Sequence, residues 1–101
     1  GRTMNRDGWP INLSEMLGLL DGAVYIERVA VNSVKNILNA KKAITKAFKV
    51  QMANLGFSMV EILSPCPTNW KMTPVEACKW IDETMTKAFP IKVIKDQAGK
   101  I

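Results

Sequence analysis

The apolar positions of the chain change their spacing several times, and the changes predict helix, strand, long helix, strand and helix in that order. The first short helix begins after Asn12, which is a plausible N-cap. Residues 23–31 and 57–63 are mostly apolar and rich in β-branched side chains, which is typical of strands. The segment Thr73–Glu76 combines an N-cap threonine, a proline in the first turn and a capping-box glutamate, so it predicts the start of the last helix.

The three predicted helices each carry an apolar stripe that we expect to face a core. The long helix begins at Asn32 or Ser33 and closes at Gly56. The stripes are Leu13, Met16, Leu17 and Leu20 in the first helix, Val34, Ile37, Leu38, Ile44, Phe48, Met52 and Leu55 in the long helix, and Val75, Cys78, Ile81, Met85 and Phe89 in the last.

A strand, a long helix and a second strand predict parallel pairing in a right-handed βαβ unit. Two parallel strands make a poor sheet by themselves, because parallel sheets normally contain more strands and are covered on both faces. We therefore predict an α/β fold with an incomplete parallel sheet, a βαβ unit with flanking helices that is part of a larger, doubly wound domain. Residues 1–101 form one segment of that domain, with residues 92–101 as a peripheral tail.

Composition narrows the classes of function. The 101 residues include no histidine, which removes the commonest general base, and only two cysteines, which are too few for a disulfide framework. Few cysteines favour a reducing compartment, so we predict a cytoplasmic location. No apolar run approaches the roughly 20 residues of a membrane span, and the first residues lack the apolar core of a signal peptide. We therefore predict no membrane association.

The segment Ser64–Trp70 holds Cys66 between two prolines, directly after the second predicted strand. Proline restricts its own backbone and that of the residue before it, so this segment is predicted to be a rigid loop. Ligands of open α/β sheets gather beyond the carboxyl ends of the strands, which places Cys66 on the functional rim. One interpretation is a metal-ligating thiolate; the other is a rigid turn with a partly buried thiol. Cys78 lies on an apolar helix face and is predicted to be a small buried hydrophobe.

Charge offers a second candidate site. The chain carries a net charge of +5, and four lysines of the long helix share one stripe, predicted to lie roughly opposite its apolar face. They are Lys35, Lys42, Lys46 and Lys49. This stripe is either a solvated surface or the docking face of a small basic binding module. No aromatic residue shares this stripe, so stacking on nucleic-acid bases is not indicated.

Glu27 and Arg28 are charged neighbours within a strand that is predicted to be covered on both faces. Adjacent strand residues point to opposite faces, so the two do not pair with each other and each needs its own partner. They serve either in structural ion pairs or at a ligand site or interface.

The run Gly56–Trp70, with Met72–Ala77 and Lys79–Ile81 after it, resembles the thiamine-diphosphate-binding beta subunit of 2-oxoacid:ferredoxin oxidoreductases. Within that family the run resembles the members that act on 2-oxoglutarate and on branched-chain 2-oxoacids. The run Asp21–Val29 and the helix through Ala43–Phe48 fit the same family. The resemblance covers nearly the whole chain and corresponds to the C-terminal part of that subunit.

The resemblance implies oxidative decarboxylation of a 2-oxoacid to its acyl-coenzyme A ester, with electrons passed to ferredoxin. It implies thiamine diphosphate, Mg²⁺ and a [4Fe–4S] cluster in the full complex, and other oxidoreductase subunits, ferredoxin and coenzyme A as partners. Cys66 matches the position of the fourth cluster cysteine in members whose beta subunit holds a cluster. The family's diphosphate motif and its other three cluster cysteines have no counterpart here. We therefore expect the 101 residues alone to bind no cofactor and to be inactive.

Overall fold

A computed structural model of the protein describes residues 11–64 and 72–99. Helix α1 spans Leu13–Gly18, strand β1 Ala23–Ala30, helix α2 Val34–Met52 and strand β2 Phe57–Leu63. They are followed by helix α3, Pro74–Trp80, a π-helical segment, Ile81–Met85, helix α4, Thr86–Ala88, and strand β3, Lys92–Asp96. The predicted order is confirmed as far as the last helix.

Local signals in the sequence begin two of the helices. The hydroxyl of Ser33 accepts a hydrogen bond from the Asn36 backbone N–H at 3.2 Å, which caps α2. The hydroxyl of Thr73 accepts from the Glu76 N–H at 3.2 Å, with Pro74 as the first helical residue of α3. Each cap satisfies a backbone donor that has no partner inside its own helix.

The strands form one sheet in the order β2-β1-β3. β1 and β2 are parallel, with Arg28 opposite Glu61 and Ala30 opposite Leu63, as expected for a βαβ unit. β3 pairs with β1 in the antiparallel direction. The α/β class and the parallel βαβ unit are therefore confirmed, and β3 adds an antiparallel strand that makes the sheet mixed.

Residues 92–96, assigned from the sequence to a peripheral tail, form the edge strand β3. The pattern of this segment is too short and too polar to predict a strand by itself. These residues form a strand because β1 presents backbone donors and acceptors on the side away from β2, and pairing with them satisfies the backbone of both strands. The Gln97 N–H donates to the Val24 carbonyl at 2.8 Å and extends this contact beyond β3.

Helix α2 packs on the sheet through a face other than its predicted stripe. Its buried residues are Ala40, Ala43 and Val50, whereas Phe48 is 65% exposed and Met52 86% exposed. The predicted core role of the stripe was therefore wrong for this chain. Small side chains let the helix lie close to the strands, and the larger apolar side chains are directed outward.

Helix α1 likewise directs its predicted apolar stripe outward. Its buried residue is Ser14, while Leu13, Met16 and Leu20 are exposed. The stripe of the last helix is confirmed in part, since Ile81 is buried. The residues packed around Ile81 are Ala30 and Leu63, with Met85 and Phe89 partly buried beside them. Val75, at the other end of that stripe, is exposed. Two helices thus present apolar faces that nothing in the described part of the chain covers.

Candidate functional site

Cys66 and its two flanking prolines lie outside the described residues, so its predicted role as a metal ligand stays a prediction. The described residues contain no group of three or more histidine, cysteine or carboxylate side chains that could hold a metal ion. The whole chain has two cysteines, and Cys78 is a free, half-buried thiol on α3. A four-cysteine cluster therefore cannot be built from this chain alone, and Cys66 would need ligands from elsewhere.

The strands carry a buried ionic cluster close to the carboxyl end of β2. Arg28 is 0% exposed, and its Nε donates to Glu61 Oε2 at 3.0 Å. Its Nη2 lies 2.7 and 2.8 Å from the two carboxylate oxygens of Glu15 on α1, and its Nη1 donates to the Pro90 carbonyl at 3.1 Å. The Ser14 hydroxyl donates to the Glu61 carboxylate. One guanidinium thus joins β1, β2, α1 and the turn before β3.

Burial and ion pairing act in opposite directions on the pKa values of the charged groups in this cluster. Burial alone would lower the pKa of Arg28, but the hydrogen bonds with Glu15 and Glu61 outweigh it and raise that pKa. The hydrogen bond from Arg28 also holds the pKa of the Glu15 carboxyl below its ordinary value. Phe89 completes the cluster, with its ring centroid 5.5 Å from the guanidinium carbon. Arg28 is therefore a structural ion-pair residue, one of the two interpretations of the sequence.

Glu27 points to the opposite face of the sheet, as predicted for a strand neighbour. It accepts a hydrogen bond from the Tyr25 hydroxyl, and Lys46 forms an ion pair with Asp96 of β3. The Lys46 ammonium also lies 5.2 Å from the centroid of the Tyr25 ring. Burial, with help from Glu27, raises the pKa of Tyr25, so the phenol stays protonated and donates.

A cavity of about 270 Å³ with both polar and apolar lining opens between α2 and the β1–β3 side of the sheet. It brings together Glu27, Lys42, Lys46 and the amide side chains of Asn36 and Asn39. On the other side of α2, a groove of about 300 Å³ runs along β2 and is lined mainly by apolar side chains such as Ile44, Phe48 and Ile62.

The lysine stripe predicted from the sequence is divided in the structure. Lys46 turns in toward Tyr25 and Asp96 and is half-buried, whereas Lys35, Lys42 and Lys49 are exposed. None of these three has an ion-pair partner among residues 11–64 and 72–99. The stripe therefore consists of three lysines without an ion-pair partner in the described residues, next to Lys46, which stabilises the packing of α2 on the sheet.

Sequence reasoning identified Glu27, Arg28 and the lysines but missed Glu15, Ser14, Tyr25, Glu61 and Asp96. The pair of Arg28 and Glu61 could have been found, because both stand the same distance before the ends of two parallel strands. Glu15 and Asp96 carry no such signal, since their partners depend on how α1 and β3 pack.

Along nearly its whole length the chain is similar to part of a 2-oxoacid oxidoreductase subunit. The relatives are the ketoisovalerate oxidoreductase subunits VorA of Methanothermobacter thermautotrophicus, 37% identical over 100 residues, and of Methanothermobacter marburgensis, 36% identical over 100 residues. Each match covers 99% of this chain and 21% of the relative, so the chain spans about a fifth of the length of the curated relatives it matches. The resemblance predicted from the sequence is therefore confirmed for a segment of such a subunit.

No family model matches the chain, and no solved structure matches it. Among the described residues, no helix combines the length and apolar character that crossing a membrane requires.

Proposed function

We propose that this chain is part of an oxidoreductase that oxidatively decarboxylates a 2-oxoacid to its acyl-coenzyme A ester and passes the electrons to ferredoxin. The observation that carries the proposal is the identity of 36–37% to ketoisovalerate oxidoreductase subunits over 99% of the chain. The substrate class favoured by those names is a branched-chain 2-oxoacid. Thiamine diphosphate with Mg²⁺ and a [4Fe–4S] cluster would supply the chemistry in the full complex.

In this proposal the described residues serve as part of the frame that positions that chemistry. The Arg28 cluster ties β1 and β2 together near their carboxyl ends, with the Val31 N–H donating to the Leu63 carbonyl at 3.1 Å. A cluster that joins several elements limits their relative motion. Cys66 follows Leu63 by three residues, and we propose that it serves as one of four cluster ligands. The other three would come from outside this chain.

The experiment is to purify the oxidoreductase complex that contains this sequence and to assay 2-oxoisovalerate oxidation with a viologen acceptor. We expect the reduction of viologen to require both coenzyme A and thiamine diphosphate. Absence of turnover with 2-oxoisovalerate, 2-oxoglutarate and pyruvate would contradict the proposal.

The ligand assignment has its own test in the same complex. Cys66→Ser should lower iron content and visible absorbance, while the matched control Cys78→Ser should leave both unchanged. Equal iron contents in the two variants would show that Cys66 is not a ligand of the cluster. The 101 residues alone should oxidise no 2-oxoacid, and any turnover by them would contradict the expectation that the segment is inactive.

A further inference from the structure

The net charge of the chain is concentrated on one helix. The sequence has 14 basic and 9 acidic residues. α2 carries five lysines and no carboxylate, so the rest of the chain is balanced at nine of each sign. The whole excess of +5 therefore lies within the 19 residues of α2.

This arrangement works against the helix itself. Lys35 lies in the first turn, where the helix dipole disfavours a positive charge, and no acidic residue is present there. Lys42 and Lys46 are four residues apart, a spacing at which like charges destabilise a helix by about 0.2–0.5 kcal/mol. A helix face that only meets solvent gains more from mixed signs. The charge pattern of α2 is thus explained better by a surface that something negative covers.

The unpaired lysines form a ridge with apolar side chains next to them. An interval of seven residues, about two helical turns, separates Lys35 from Lys42 and Lys42 from Lys49, so all three lie on one side of α2. Leu38, 53% exposed, lies alongside, and Val34, 77% exposed, lies beyond it. We call these five residues the basic ridge. Cations beside exposed aliphatic side chains can give a partner both charge complementarity and apolar contact.

We propose that the basic ridge is a subunit interface and that it receives another subunit of the oxidoreductase through an acidic, partly apolar surface. The proposal rests on the proposed function in that the relatives are named as subunits of an enzyme. A protein fits better than nucleic acid, because the one aromatic side chain of α2, Phe48, lines the groove along β2 and is not part of the basic ridge.

Charge reversal tests the proposal in the purified complex. The variant Lys35→Glu/Lys42→Glu places an acid in the first turn and a favourable Glu-to-Lys46 spacing in the helix, so α2 should be no less stable. We expect it nonetheless to weaken association with the neighbouring subunit about tenfold at low salt. The matched control Lys79→Glu/Lys87→Glu makes the same charge change on exposed residues of the C-terminal helices and should leave association unchanged.

Salt and the apolar part of the ridge provide the second measurement. Dissociation of the wild-type complex, followed by sedimentation velocity, should increase between about 0.05 and 0.5 M salt, because charges at an interface rim are screened. Leu38→Ser should weaken association at every salt concentration, since apolar contact is not screened in this way.

Three results would overturn the proposal. The first is unchanged association and salt dependence in Lys35→Glu/Lys42→Glu. The second is normal assembly with loss of bound nucleic acid, of anionic vesicles or of ferredoxin, which would identify a different occupant. The third is that the variant weakens only the association between two copies of this chain. A complex that needs the ridge to assemble but oxidises no 2-oxoacid would refute the proposed function and leave the interface standing.

Discussion

At the scale of single residues, Arg28 is the side chain on which most of the described structure depends. It is fully buried, and it contacts two carboxylates, a backbone carbonyl and an aromatic ring. Removing one partner of a buried ion pair leaves the others in a low-dielectric environment without compensation. The residue is therefore costly to replace alone, even though a buried ion pair is not by itself a strong source of stability.

Arg28→Met should lower the free energy of unfolding by about 1–3 kcal/mol, because Glu61, whose side chain is 26% exposed, is left without its counter-charge. The double variant Arg28→Met/Glu61→Leu should recover a large part of that loss, since no carboxylate is then stranded on β2. Urea unfolding of the chain measures both. A double variant as unstable as the sum of its two single variants would show that the guanidinium and the carboxylate act independently.

Glu15 gives the cluster a dependence on pH. The hydrogen bond from Arg28 lowers the pKa of its carboxyl from the ordinary value of 4.5. A lowered folded-state pKa means that the pair stabilises the fold above about pH 4.5 and that this stability is lost as the pH falls through the lowered value. The difference in unfolding free energy between wild type and Glu15→Gln should thus be constant from pH 7 to about pH 5 and shrink below pH 4.5. A difference that stays constant down to about pH 2.5 would contradict the assignment.

At the scale of elements, the turn between α2 and β2 limits which residues can follow the helix. Asn54 has a φ of 57°, and Gly56 has a φ of 146°. A Cβ on Gly56 would lie 2.6 Å from a Val24 methyl and 2.9 Å from the Gly22 carbonyl oxygen. The start of β2 thus depends on a residue without a side chain, both for its backbone conformation and for its approach to β1.

Gly56→Ala should lower the free energy of unfolding by about 1–3 kcal/mol, because it combines an unfavourable φ with a close contact. Gly22→Ala is the matched control, since a Cβ there meets no atom within 4 Å. Thermal unfolding of the two variants separates the effects. Equal melting temperatures would mean that the turn relaxes without cost.

The elements also indicate how far sequence reasoning reaches. Helix starts at Ser33 and Thr73 were predictable because a cap is a local hydrogen bond. The two parallel strands were predictable from their apolar, β-branched runs. β3 was not, because its pairing with β1 depends on the fold and its own pattern is weak. Periodicity detected the apolar face of α2, but it could not tell that Ala40 and Ala43 would lie on the sheet while Phe48 faced outward.

In the candidate site, too, the sequence predicted the features that depend on local residues and not those that depend on tertiary packing. Arg28 was recognised as a residue that needs a partner, but the partner Glu15 comes from α1 and depends on tertiary packing. Cys66 was singled out by its two prolines and by the resemblance, neither of which requires a structure. Its proposed ligand role would require three further cysteines, which this chain does not contain.

At the scale of the whole molecule, the outward apolar faces of α1 and α2 are the dominant feature. Leu19, Phe48 and Met52 are among the large apolar side chains that are more than half exposed. Apolar surface that is covered in a larger assembly associates with itself when the cover is missing. The exposed apolar faces of α1 and α2 are therefore those expected of a segment that other parts of an assembly cover on more than one side.

The 101 residues by themselves should bind a hydrophobic fluorescent dye and sediment as species larger than a monomer. Phe48→Ser, on the exposed side of α2, should reduce both signals. Val34→Ala, which removes less apolar surface, should reduce them less. A wild-type chain that is monomeric and does not bind the dye would contradict this expectation.

The position of β2 has a consequence for the order of folding. β2 is the second of the two parallel strands in the chain, yet it lies at a sheet edge with no partner on its outer side in the described residues. Its neighbour β1 is joined to it through α2 alone, so this pair closes a shorter loop than the pairing of β1 with β3 does. The outer edge of β2 therefore presents backbone donors and acceptors to which another strand can add. While that edge is uncovered, it is a place in the described sheet where a folding chain can pair with another chain and aggregate.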